Sequence, residues 1–186
     1  PGGRFVGLVM LFDIHTLEPL AIIQDGELQR MRVGCTSALA AKHLSRPEAH
    51  VVGLIGSGWQ AETQLRALVR VRDVREIRAY STSAERLQRF SEDMTSKLGM
   101  RVRPVASARD AVEGADIVVC ATSSHDPVFD GDRLVPGQHV SSVQSHELDD
   151  RTLERASLVV VRSRDAATFH HPPDQAPVEA AEVRKP

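Results

Sequence analysis

The sequence is poor in cysteine: 186 residues hold two, Cys35 and Cys120. Two thiols cannot build a disulfide framework, and Cys120 falls inside an apolar run, so both are expected as reduced core residues. No apolar run approaches the roughly 18 residues that a membrane-spanning helix needs. There is no dense Lys/Arg patch and the formal net charge is -2, which gives a polyanion such as nucleic acid nothing to hold. No secretory leader is legible, so cytoplasmic residence is the expectation. His170 and His171 are adjacent, but adjacent side chains diverge and no third ligand is near. No metal site is expected.

What is present is a globular composition, 41% hydrophobic and 26% charged, enough for one good core with an appendage. Its most informative stretch is Val51-Val52-Gly53-Leu54-Ile55-Gly56-Ser57-Gly58-Trp59-Gln60-Ala61. A short apolar run ends in Gly-x-Gly-x-x-Ala and opens directly into a helical pattern. That order builds a pyrophosphate cradle from a strand, a tight turn and a helix N-terminus. Gly56 suits the tight turn, Gly58 lets backbone approach phosphate, and Ala61 lets the helix pack closely on the strand. The free N–H groups of the first helical turn supply the attraction. A purely structural glycine turn is the alternative, and the surroundings bear on the choice.

Those surroundings read as a repeating unit. Ala61, Leu65, Leu68 and Val69 share one helix face. Residues 76–81 read as a second strand, and Thr82-Ser83-Ala84-Glu85 has capping-box spacing before a helix that stops at Gly99. Residues 100–105 form a third strand, with Ser107 and Asp110 capping a short helix that ends at Gly114. The continuous apolar run of residues 115–121 suits a parallel strand buried on both faces. Residues 138–143 and 158–161 read as two further strands. Strands and helices alternating over short connections predict a doubly wound α/β sheet.

The ends look cut. Residues 6–12 and 20–24 read as two paired strands, Asp25-Gly26 closes them, and a helix runs from about residue 27 to residue 44 before Pro47. Two strands and a helix are too little for an independent domain. The expected division is a partial second domain over 1–48, the nucleotide-binding sheet over 49–166, and a Pro-rich tail over 167–186. That tail is expected to be disordered or held by absent neighbours.

Taken together, Arg32-Val33-Gly34-Cys35-Thr36-Ser37-Ala38-Leu39-Ala40-Ala41-Lys42-His43-Leu44, then Arg46-Pro47, then the glycine turn, resemble the ornithine cyclodeaminase/mu-crystallin family. Gly114-Ala115-Asp116-Ile117-Val118, Ala121-Thr122-Ser123-Ser124, Pro127-Val128 and Glu147-Leu148-Asp149 continue the likeness in order, over roughly residues 5 to 165. The resemblance implies a Rossmann-type doubly wound parallel sheet with a remnant of a second, substrate and dimerisation domain. It also implies an NAD(P)-dependent oxidoreductase or cyclodeaminase (ammonia-lyase) acting on a small α-amino or α-imino acid, and a homodimer formed through the incomplete domain. The chemistry there is hydride transfer through an imine.

Carried over, Arg32 matches the arginine that clamps the substrate carboxylate, a role its guanidinium fork suits. A solvated helix arginine is the alternative. Thr36 and Ser37 match positions near the cofactor phosphates. Ala121, Thr122 and Ser123 would line a ribose, and Val143 would lie near the nicotinamide. At the end of the second strand Ser81, Thr82 and Ser83 stand where an acid would mark NAD, with Arg86 one turn on. This favours NADP over NAD.

Two departures stand out. The family's glycine-containing loop, with the acid that handles the substrate amine, is shortened here to Gln144-Ser145-His146. His146 is left as a general base or as a surface turn residue. Val33 replaces the family's common threonine. A catalyst and a non-catalytic nucleotide or small-ligand binder of the mu-crystallin type therefore both remain open.

Overall fold

The computed structural model describes residues 7–161. Two antiparallel strands, β1 (Leu8–Phe12) and β2 (Pro19–Gln24), lead straight into a long helix, α1 (Asp25–Leu44). Asp25 and Gly26 thus begin the helix instead of forming a separate turn, which places an acid in its first turn, where the helix dipole favours it. Next come β3 (Val51–Ile55), α2 (Trp59–Leu68), β4 (Glu76–Tyr80), α3 (Ala84–Leu98) and β5 (Val102–Pro104). After them follow α4 (Ala108–Val112), β6 (Ile117–Cys120), β7 (His139–Ser142) and α5 (Asp150–Glu154).

The strands β5-β4-β3-β6-β7 form one sheet in that order, and every pairing is parallel. Their alternation explains the continuous apolar runs. Val52, Leu54, Ile117 and Val119 face a core shared with Ala41 of α1, Leu65 of α2 and Met94 of α3. Ile55, Val118 and Cys120 face a second core with Ala111 and Val112 of α4. Both faces are covered, so the sheet is doubly wound, as its sequence pattern predicted.

Two arginine-centred joints hold α1 to this sheet. Arg72 donates to the Lys42 and Ser45 carbonyls at 2.6 and 3.1 Å and to the Ser45 hydroxyl at 2.8 Å, satisfying carbonyls that the end of α1 leaves free. Asp116 accepts from the His50 and Val51 N–H groups at 2.9 and 3.0 Å and from Arg46 at 2.8 Å. Burial raises the Asp116 pKa, but those donors outweigh it and hold the carboxyl below its ordinary range. Against α2 the helix fits closely at Gly34, where a Cβ would stand 2.6 Å from the Thr63 carbonyl oxygen.

Three expectations need correction. Residues 158–161 form no strand; they are exposed and make no ladder with β7. A short apolar run reads alike whether or not it meets an edge, and pairing decides. Cys35 is exposed on α1 rather than in the core, because Gly34, Ala38 and Ala41 take the buried face. Finally, Ser83 and not Thr82 caps α3, accepting from the Arg86 N–H, while Glu85 pairs with Arg89 and closes no capping box. The Pro-rich tail and His170-His171 lie outside the described residues. Among those described, no helix is long and apolar enough to cross a membrane, and no group of three or more His, Cys, Asp or Glu gathers as metal ligands would.

Candidate nucleotide-binding site

Strand order reverses between β3 and β6, and in open α/β sheets ligands lie beyond the carboxyl ends of the strands at such a point. The residues following β3, β4, β6 and β7 meet along that edge. The Gly56 N–H donates to the Tyr80 carbonyl at 2.8 Å, Ala121 N–H to Ile55 at 2.9 Å, and Val143 N–H to Cys120 at 3.0 Å. Gly56 has φ +118, and a Cβ there would run into the Ala121 carbonyl. Only glycine permits both that backbone and that approach.

Gly58 answers a different need. Its backbone is extended and ordinary, and a Cβ would meet nothing within 4 Å. It is the N-cap of α2 and supplies no capping side chain, so N–H groups of the first turn keep no side-chain partner there. Open space before an uncapped helix N-terminus is what a pyrophosphate requires. Ser57 is half-buried, Trp59 is exposed, and Ala61 is fully buried under the turn. The Gln60 side-chain oxygen is buried without a partner among the described residues.

One residue to which the sequence assigned no role organises the edge. Glu147 is fully buried. One carboxylate oxygen accepts from the Thr122 N–H at 2.6 Å and the Thr122 hydroxyl at 2.7 Å. The other accepts from the Ser142 hydroxyl at 2.9 Å and from the Val143 and Gln144 N–H groups at 3.1 and 2.8 Å. The carboxylate therefore sutures the loops after β6 and β7. Burial and this neighbouring charge together push the Cys120 thiol well up in pKa, so it stays protonated. The signal was the Glu-Leu-Asp motif itself, since Asp149 also holds its loop by accepting from Gly131 and Thr152.

His146 lies in the turn just before Glu147, half-buried, and its ring stacks on that of His125 with centroids 5.3 Å apart at 29°. At the end of β4, Thr82 and Arg86 are exposed and Ser83 is half-buried; among the described residues Arg86 has no carboxylate partner. Thr122 faces Glu147, and Ser123 is exposed beside it.

Three further expected residues stand on α1. Arg32 is exposed on α1, in the half of that helix whose Arg30 lies over Trp59, and makes no side-chain hydrogen bond or ion pair among the described residues. The Thr36 hydroxyl donates back to the Arg32 carbonyl at 2.9 Å, so it is engaged within its own helix. Ser37 is half-buried on the same helix.

Sheet order, switch point and glycine turn define an α/β protein with a Rossmann-type, doubly wound parallel sheet. Residues 3–179 match the model of the ornithine cyclodeaminase/mu-crystallin family, and the chain belongs to that family. It is 36% identical to a Delta(1)-pyrroline-2-carboxylate reductase of Bacillus cereus, an alignment covering 87% of this chain and 51% of the relative. It is 29% identical to the rat (Rattus norvegicus) ketimine reductase mu-crystallin, over 86% of this chain and 51% of the relative. Among solved structures, Thermococcus litoralis Delta(1)-pyrroline-2-carboxylate reductase in complex with NADH and L-proline superposes with a TM-score of 0.79 at 35% identity. That match covers 82% of this chain and 49% of the other. The chain thus spans about half the length of the relatives it matches.

Proposed function

We propose that the chain binds a nicotinamide dinucleotide across the carboxyl ends of β3 and β6. There it serves the reduction of a small cyclic α-imino acid, of the pyrroline-2-carboxylate kind, to the amino acid. The observation that carries this is the uncapped N-terminus of α2 facing open space at the switch point. The relatives' named activities and the NADH and L-proline of the Thermococcus complex support the reading.

In this reading Gly56, Ser57, Gly58, Trp59, Gln60 and Ala61 cradle the pyrophosphate through backbone N–H groups. Ala121, Thr122, Ser123 and Val143 line the ribose and nicotinamide, held in place by Glu147. Thr82, Ser83 and Arg86 receive the 2′ position and favour NADP, because small hydroxyls stand at the end of β4 and the nearby Glu85 is paired with Arg89. When bound, the nicotinamide supplies a hydride to the substrate α-carbon. The imine nitrogen needs a proton as well, and His146 is the group that delivers it. Arg32 clamps the substrate carboxylate and Thr36 stays near the phosphates. Residues 1–48 belong to a substrate and dimerisation domain through which two copies pair, and 49–166 form the nucleotide domain.

A second reading has its own observation. The first acid after β7 is Glu147, and all its acceptor capacity is used structurally. No carboxylate of that turn is left for the substrate amine, which favours a non-catalytic binder.

Titration with NADPH and NADH, followed by nicotinamide emission, tests both readings. Saturable binding with oxidation of the cofactor on adding pyrroline-2-carboxylate supports the reductase. Binding with no turnover across a panel of imino and amino acids supports the binder. No binding of either cofactor overturns both.

A further inference from the structure

The first turn of α2 lacks a capping side chain, so another contact must fix its direction. Trp59 is its first residue and is 44% exposed. The Arg30 guanidinium of α1 lies over that ring, 5.7 Å from its centroid. Arg30 itself is only 13% exposed, held by Glu27 at 2.7 Å and by Glu62 at 3.5 Å. Glu62 stands in the first turn of α2, where its charge would oppose an incoming anion. It is matched from three helices, by Arg30 of α1, Arg66 of α2 and Lys97 of α3. Arg30 and Arg32 are two positions apart on one helix, so they point to different sides: Arg30 in against α2, Arg32 out to solvent.

We propose that Arg30 is a positioning residue for the dinucleotide. It lies over Trp59 and neutralises Glu62, and so holds the free N–H groups of α2 ready for the pyrophosphate. It also ties that geometry to α1, the helix that carries Arg32. This rests on the dinucleotide reading above, although Arg30 touches the cofactor nowhere in it. What changes on binding is the electrostatics at the turn: without Arg30 the Glu62 charge is less neutralised and opposes the dinucleotide's phosphates.

The test is an NADH titration of the wild-type chain, Arg30→Met and Arg30→Lys. It is read by energy transfer from Trp59, the chain's one tryptophan, and separately by nicotinamide emission. Arg30→Met is expected to weaken NADH about fivefold, the order of one charge at a helix N-terminus, a loss larger than any fall in its thermal midpoint accounts for. Arg30→Lys recovers part of the loss, because it restores charge beside Glu62 without the guanidinium's fork of donors. Wild-type affinity in Arg30→Met overturns the proposal and leaves the dinucleotide reading intact. A loss in both variants that merely tracks a lowered midpoint also overturns it, by making Arg30 a stability residue. Absence of NADH binding in the wild type removes the dinucleotide reading and this proposal with it.

Discussion

At the scale of single residues, two glycines that look equivalent in the motif do different work. Gly56 is required by its own backbone and by the Ala121 carbonyl, whereas Gly58 borders empty space. Gly58→Asp is therefore expected to fold with a wild-type circular dichroism spectrum and thermal midpoint, yet to lose NADH binding, because its carboxylate occupies and repels the phosphate path. Glu147 presents the opposite case. Glu147→Ala strands three N–H groups and the Thr122 hydroxyl at the sheet edge, while the Ser142 hydroxyl keeps the Gln144 carbonyl, and an unfolding free energy lower by about 3 kcal/mol or more is expected from urea titration. The glycines were legible in the sequence because their spacing encodes backbone geometry. Glu147 was visible only as part of a motif, since its partners come from positions 3 to 25 residues away.

At the scale of elements, hydrophobic period and punctuation placed most strands and helices. They failed where two neighbouring residues offer the same chemistry. Thr82 and Ser83 both suit an N-cap, but only the Ser83 oxygen reaches the Arg86 N–H, at 3.4 Å. Ser83→Ala is expected to lower stability by up to about 1 kcal/mol, and Thr82→Ala to leave the melting curve within about 0.5 kcal/mol of wild type. A larger effect at Thr82 would restore the cap that spacing alone suggested. Residues 158–161 failed for another reason. Their composition suits a strand, but a strand exists only where an edge accepts it, and these residues remain exposed.

For the whole molecule, charge links strands and helices that are distant in sequence, and acid is the lever that tests it. Glu76 on β4 is held down to about 2, from 4.5, first by its hydrogen bond to Arg78 and then by Arg103 across on β5. Its folded pKa lies below the unfolded one, so the unfolded chain binds more protons between those values. Its stabilisation is complete above about pH 4.5 and is lost as pH falls towards 2. His139 adds an earlier decline. Burial, then the nearby Arg72, lowers its pKa below 6.5, so stability begins to fall as pH drops through that value. Urea midpoints measured across this range should fall in both windows, and Glu76→Gln should flatten only the lower one. The sequence by itself determined the doubly wound sheet, the glycine turn at its switch point and the family, because strand period, turn chemistry and motif order are local properties. Only the tertiary structure decided that Glu147 joins the site's loops, that Arg30 turns to Trp59 while Arg32 faces solvent, and that Cys35 lies outside the core. Those outcomes depend on which face each helix presents and which distant backbone groups it meets, and packing alone fixes that.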